Sequence, residues 1–289
     1  MTILANRNTR VIVQGITGRT GSVQARLMRE YGTRIVAGVT PGKEGQTVEG
    51  IPVYDSVENA IQRHPADASI IFVPAPSALN AALQAVEGAI RLIVIVTERI
   101  PIHDVLKIRS YVQKAGAIVI GPNTSGIISP DKVKMGIMPG NLFKSGNVGV
   151  VTRSATLGYE IAGNLTEAGI GQSTCVGIGG DRVTGVTFVD VLKLFQEDDE
   201  THAVVIVGEV GRTVEEEAAE YVKSGKFKKP VAAFIAGRSA PREKRMGHAG
   251  AIIESARGTA ASKVRALQEA GIPVVERPSE ITGILKQIL

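Results

Sequence analysis

Short apolar runs recur through the first part of the chain at residues 10–14, 34–39, 68–73, 92–96 and 117–120. They are rich in Val and Ile, too short for a buried helix, and lack the alternation of a half-exposed strand, so they read as strands buried on both faces. Between several of them, residues 22–31, 77–88 and 105–115 repeat apolar positions at helical spacing. Strand and helix in turn predict a parallel, doubly wound sheet. The runs end in Gly, Pro, Thr or Asn, so one edge of that sheet is a row of polar loops, where ligands collect in open α/β folds.

Residues 127–146 break the rhythm with Pro130, Pro139 and several glycines, and the domain boundary is placed inside them. A second alternation follows, with strands at residues 147–151, 174–178, 204–207 and 231–235, a possible fifth at Val274-Val275, and a final helix. The fold class is therefore α/β: a Rossmann-like domain over residues 1–126, a connector over 127–146, and a flavodoxin-like domain over 147–289, both with parallel sheets.

Candidate chemistry sits at strand ends. The first strand runs into Gly15-Ile16-Thr17-Gly18-Arg19-Thr20-Gly21 and then a helix, a context in which helix-start N–H groups bind phosphate. The spacing is G-x-x-G-x-x-G, and the next strand ends without an acidic residue, passing into Thr40-Pro41-Gly42-Lys43. An NAD site is disfavoured, because an acidic group there would bond a ribose hydroxyl; a lysine suits a phosphate. A glycine turn used for packing alone is the alternative.

In the second half, Glu209 ends one strand. The next strand leads into Lys244-Arg245-Met246-Gly247-His248-Ala249-Gly250. Strands adjacent in sequence are commonly adjacent in space, so Glu209 is placed to orient His248. A carboxylate accepting the Nδ1 proton leaves Nε2 as a nucleophile. Ser154 or Thr156 can cap the helix after the 147–151 strand and leave N–H groups free for an anion. Ser154, Asp181, Glu209 and His248 are expected along one sheet edge as a phosphohistidine site. A loop histidine beside a solvated basic run is the plainer alternative. His64 and His103 lie in polar turn contexts and read as surface residues.

Composition narrows the classes. The chain has 289 residues, 44% hydrophobic, with 33 glycines and a net charge of +5, enough for two domains with ample cores. Aromatics make up 4% and the basic residues are dispersed, which argues against a nucleic-acid platform. Cys175 is the sole cysteine, so neither a disulfide framework nor a Cys-rich metal site is expected, and a cytoplasmic setting fits. No apolar run approaches the ~18 residues of a membrane span.

The ordered set Val13-Gln14-Gly15-Ile16-Thr17-Gly18, Gly38-Val39-Thr40-Pro41-Gly42-Lys43, Val73-Pro74-Ala75-Pro76, Gly121-Pro122-Asn123, Gly136-Ile137-Met138-Pro139-Gly140, Cys175-Val176-Gly177-Ile178-Gly179-Gly180-Asp181 and Lys244 to Ile252 resembles the α subunits of succinate–CoA ligases along the whole chain. The resemblance implies an enzyme subunit that makes succinyl-CoA from succinate, CoA and ATP or GTP, and works only with an ATP-grasp β subunit that holds the Mg2+ and nucleotide. It implies CoA phosphates held around Thr17, Gly18, Arg19, Thr20 and Lys43, with Val96, Thr97 and Glu98 along the pantetheine. It also implies His248 as phosphoryl carrier, Glu209 as its orienter, and Ser154, Ala155, Thr156, Tyr159 and Asn123 around phosphate and the acid. No site for a resident metal is implied, and the assembly is αβ or (αβ)2.

The chain departs from the family pattern at Ala155 for Gly, Gly158 for Thr, Arg182 for Pro and Arg212 for Gly. Thr124-Ser125 and Arg242-Glu243 also differ. Because several departures border the phosphoryl and acid sites, two alternatives stay open. One is the same chemistry on malate, citrate or another short dicarboxylate; the other is a CoA-binding regulatory protein with a decayed ligase site.

Overall fold

The computed structural model describes residues 3–241, 244–253 and 257–289; the Arg242-Glu243 departure lies outside them. The chain divides into two compact units, residues 4–138 with 183–185, and residues 139–182 with 186–289.

The N-terminal unit contains β1 (Arg10–Gln14), α1 (Arg19–Glu30), β2 (Arg34–Val39), β3 (Thr47–Val48), β4 (Ile51–Tyr54), α2 (Val57–Arg63), β5 (Ala68–Ile71), α3 (Ala75–Glu87), β6 (Leu92–Ile95), α4 (Ile102–Lys114) and β7 (Ile118–Ile120). The sheet order is β3-β4-β2-β1-β5-β6-β7, parallel except for the β3–β4 hairpin. β5 and β6 are buried at every position, as central strands covered on both faces must be. Strand order reverses at β1: β2 lies on one side and β5 on the other. That reversal opens a crevice at the carboxyl ends of the strands.

The stretch read as a connector is not structureless. It holds the antiparallel hairpin β8 (Gly126–Ser129) and β9 (Val133–Gly136). The glycines that suggested a break are what the pairing needs, since a Cβ on Gly126 would meet the Met135 carbonyl oxygen. Pro130 and Asp131 (φ +60°) form its turn. His64 also differs from the surface reading: half-buried at the end of α2, its Nε2 lies 2.9 Å from the Tyr54 hydroxyl.

The C-terminal unit contains β10 (Ser145–Thr152), α5 (Ala155–Glu167), β11 (Gln172–Gly177), α6 (Phe188–Gln196), β12 (Ala203–Glu209), α7 (Val214–Lys223), β13 (Val231–Ala236), α8 (Ala260–Glu269), β14 (Val274–Val275) and α9 (Ile281–Ile288). Its strands run in the order β14-β13-β12-β10-β11, all parallel. In chain order this is the 2-1-3-4-5 flavodoxin-like arrangement, which reverses between β10 and β12. Among the described residues no helix is long and apolar enough to cross a membrane.

Candidate functional site

In the N-terminal unit the crevice at β1 is a cavity of about 310 Å3. Its floor comes from the end of β1 and the glycine turn (Gln14, Gly15, Thr17, Gly18), one wall from Thr40 and Pro41 after β2, and the other from Val73, Pro74, Ser77 and Asn80. Gly15 has φ +79°, a backbone state that favours glycine. A Cβ on Gly21 would fall 2.1 Å from the Gly15 carbonyl oxygen, so the third glycine lets α1 close onto the turn. Gly18 caps α1 without a side chain, keeping the helix start open to an anion.

Of the residues expected around CoA, Thr17 and Gly18 line this cavity, and the Thr17 hydroxyl donates to Thr40 Oγ1 at 3.1 Å. Arg19 and Thr20 begin α1 and are exposed. Lys43 is exposed, on a loop whose Lys43 and Glu44 N–H groups both donate to Asp55 Oδ1. The Thr97 hydroxyl donates to the Val73 carbonyl at 2.6 Å and the Val96 N–H to that of Ile71. Glu98 is exposed beside Arg99. Arg19, Thr20, Lys43 and the 96–98 turn are not among the cavity's lining residues. Thr40, Ser77 and Asn80 also line the cavity and are not legible as site residues in the sequence, because the phosphate-binding glycine signature lies in the floor alone. Asn123, in this unit, has φ +55° and its N–H donates to the Thr97 carbonyl.

In the C-terminal unit the reversal between β10 and β12 sets Arg153, next after β10, beside the end of β12, where its N–H donates to the Val207 carbonyl. β13 pairs with β12 and releases the histidine loop. His248 Nδ1 lies 2.9 Å from Oε1 and 3.0 Å from Oε2 of Glu209. A carboxylate only accepts, so Nδ1 carries the proton, and in the neutral ring Nε2 keeps its lone pair. The hydrogen bond to Glu209 raises the His248 pKa against the opposing effect of burial; Asp181 adds to the rise and Arg153 opposes it. The imidazole lies against Gly180, where a Cβ would come within 2.5 Å of the ring. The Gly250 N–H donates to the Gly180 carbonyl at 2.9 Å, closing the loop over the 179–182 turn.

Ser154 is the N-cap of α5, with no side-chain capping bond; Ala155 and Thr156 follow as its first residues. Tyr159, a turn later, packs edge-on to Phe143 with ring centroids 6.5 Å apart. Asp181 is buried, and its carbonyl accepts from Arg212 Nη1 at 3.0 Å. Sequence reading missed the layer beneath, where Arg153, Glu215, Glu216 and Lys263 are buried together. Burial pushes Glu215 up, but Arg153 and Lys263 more than reverse it and its pKa is lowered.

A crevice of about 310 Å3 at one sheet reversal and a carboxylate-held imidazole at another suit a two-part enzyme subunit that handles CoA and transfers a phosphoryl group. Residues 6–99 match the CoA binding domain family and residues 151–272 the CoA-ligase family, which defines the class as a CoA ligase subunit. The chain is 55% identical over 289 residues to the succinate–CoA ligase [ADP-forming] subunit alpha 2 of Archaeoglobus fulgidus, covering all of both chains. It is 57% identical to the corresponding alpha subunit of Methanothermobacter thermautotrophicus, covering 98% of this chain and 96% of that one. The chain belongs to the family of succinate–CoA ligase α subunits. The fold also matches an ATP citrate lyase from Methanothrix soehngenii, solved with citrate and coenzyme A, at a TM-score of 0.91 and 24% identity. That match covers 99% of this chain and 50% of the lyase.

Proposed function

We propose that this chain is the α subunit of an ATP-dependent succinate–CoA ligase and that His248 carries the phosphoryl group. The observation that carries the reading is the grip of Glu209 on His248 Nδ1 at 2.9 and 3.0 Å, which supports Nε2 as the attacking nitrogen. The family relatives are ADP-forming, which favours ATP as the donor. A β subunit with an ATP-grasp domain would hold Mg2+ and the nucleotide, and the crevice at β1 would hold CoA.

A carboxylate is a poor electrophile, so its oxygen must first become a leaving group. The Nε2 lone pair attacks the γ-phosphorus of ATP and ADP departs. A succinate carboxylate oxygen then attacks that phosphorus, the N–P bond breaks, and its electron pair returns to Nε2. The CoA sulfur attacks the acyl carbon of succinyl phosphate, losing its proton, and inorganic phosphate leaves. Through these steps Glu209 holds the Nδ1 proton and balances positive charge on the ring. Arg19, Thr20 and Lys43 are assigned to CoA phosphates, Val96, Thr97 and Glu98 to the pantetheine, and Ser154, Ala155, Thr156, Tyr159 and Asn123 to the phosphoryl group and the acid.

The test is incubation with a cognate β subunit and ATP labelled at the γ-phosphate. Acid-labile, base-stable label on His248, chased by succinate and CoA, is the expected result. A chain that binds CoA but takes no label, or a His248→Asn variant that still takes it, overturns the reading.

A further inference from the structure

The mechanism above uses His248 and Glu209 and leaves a set of buried charges beneath them without a task. The side chains of Arg153, Glu215 and Lys263 are fully buried and that of Glu216 nearly so. Apolar residues of the same size would commonly fill such a space at no loss of stability, so stability alone gives no reason for four buried charges. Gly208, inside β12, is shaped to admit them: a Cβ there would lie 2.6 Å from Glu215 Cγ.

Their geometry points at the phosphohistidine. Arg153 Nη1 donates to the carbonyls of Glu209 at 3.2 Å and Gly211 at 2.9 Å, and Nη2 donates to the carbonyl of Gly250 at 3.2 Å. One planar guanidinium thus fastens both the backbone that carries Glu209 and the loop that carries His248. The same group lies 3.4 Å from Glu209 Oε1 and 3.0 Å from Glu215 Oε1. Glu215 Oε1 also accepts from the Glu209 N–H at 3.1 Å. Lys263 Nζ pairs with Glu215 Oε2, with Glu216 Oε2 at 3.1 Å, and with the Arg212 carbonyl at 3.0 Å.

We propose that Arg153, held by Glu215 and through it by Lys263, is the positioning residue of the phosphohistidine site, setting the Glu209 carboxylate and the histidine loop in register. The proposal rests on the function assigned above. Its logic is a competition for one carboxylate. An Arg153 without its own counter-ion would take Glu209 in a two-pronged pair, and Nδ1 would lose its acceptor. Glu215 commits Arg153 elsewhere, which leaves Glu209 to His248 at the shorter distance. A lysine at 153 would keep the charge but not the fork that reaches three carbonyls and a carboxylate at once.

The test uses the αβ complex for His248 phosphorylation and nitrogen NMR of the His248 ring in the chain itself. Among the described residues the charged groups that act on that ring are Glu209 from β12, Asp181 from the turn after β11 and Arg153 before α5. Arg212, after β12, belongs to the same charged cluster. Arg153→Lys is expected to slow phosphorylation about 10²-fold, the cost of roughly 1 Å of misplacement, and to lower the share of the Nδ1-protonated tautomer. Glu215→Gln is expected to lower the His248 titration midpoint, because an uncompensated Arg153 competes for Glu209. The double variant Arg153→Met, Glu215→Leu removes the charge pair together and keeps the fold testable where a single change unfolds it. A folded double variant that phosphorylates at the wild-type rate overturns the proposal. So does an Arg153→Lys protein with wild-type rate and tautomer, or a Glu215→Gln protein with an unchanged or raised midpoint. Failure of the wild-type chain to take label would sink the phosphohistidine reading instead, while the ring titrations still decide whether Arg153 and Glu215 position the imidazole.

Discussion

Gly180→Ala probes how closely the site depends on ring placement. No left-handed backbone is required at 180, so alanine is conformationally acceptable there. Its Cβ, however, would lie 2.5 Å from Cγ and 2.7 Å from Nδ1 of His248. Ordinary carbon contacts begin near 3.5 Å, so the imidazole must move by about 1 Å. It has room to do so on its outer side, the side chain being 29% exposed. A shift of that size, if it runs away from Glu209, carries Nδ1 from 2.9 Å to beyond the reach of a hydrogen bond. A displacement of that size costs about 10²-fold in rate, or about 2.7 kcal/mol of barrier. Stability should fall by no more than the lost charge-assisted hydrogen bond, about 1.5–3 kcal/mol. The assay is single-turnover phosphorylation of His248 in the αβ complex across pH, with calorimetry on the same protein. Wild-type rate and pH profile in Gly180→Ala would refute the reasoning, since the ring would then not need its seat.

Because the Glu209 hydrogen bond raises the His248 pKa, Nε2 stays protonated to a higher pH than in an ordinary histidine. The acid limb of phosphorylation should therefore lie above about 6.5, and Glu209→Gln should move it down while slowing the step ~10²–10⁴-fold. The sign for stability is opposite in direction: the pair contributes most below the unfolded pKa, and that contribution is lost as pH rises through the raised value; wild-type against His248→Asn melting curves measure it. Lys43→Ala should weaken CoA binding by about 1–3 kcal/mol, read by calorimetric titration, with a smaller loss for dephospho-CoA if Lys43 meets the 3′-phosphate. Gly158→Thr should destabilise the chain by about 1–3 kcal/mol, seen as a lower melting temperature, because a Cβ at 158 would meet Thr152 Cγ2 at 2.8 Å.

The strands that build the two crevices announced themselves because they are buried on both faces. β1 and β12 carry unbroken apolar runs, residues 11–13 and 203–207, and the buried end of β10 is one interrupted only by Gly149, so the residues that leave them had to be loops. Glu209 and His248 were legible together because consecutive parallel strands pair, as β12 and β13 do. β3 and β4 were not, being short, antiparallel and interrupted by Pro52. The β8–β9 hairpin was hidden by the glycines and proline that make it possible. Arg153 gave no local signal at all. Its burial depends on Glu215, 62 residues away, and through Glu215 on Lys263, a further 48, and periodicity cannot distinguish a buried charge from a solvated one when the partner is that distant.

Two of the departures that left the acid open in the sequence, Gly158 and Arg212, have local explanations in the fold. Gly158 leaves the space that the Thr152 side chain occupies at the start of α5. Arg212 stands at φ +57°, a left-handed position that glycine fills freely and that costs a larger residue about 1–3 kcal/mol. Arg212 offsets that cost with a bond from Nη1 to the Asp181 carbonyl, fastening the turn on which His248 rests. Burial lowers its pKa to about 10, so it remains a cation at neutral pH. Arg182 is exposed. Two of these changes therefore act on packing and on the imidazole's seat, and the contact between Glu209 and His248 is intact beside them. A substituted acid would need new polar partners for its extra hydroxyl or carboxylate, and the packing and turn-fastening roles found for Gly158 and Arg212 are not changes of that kind. Neither of these two departures gives a reason to replace succinate.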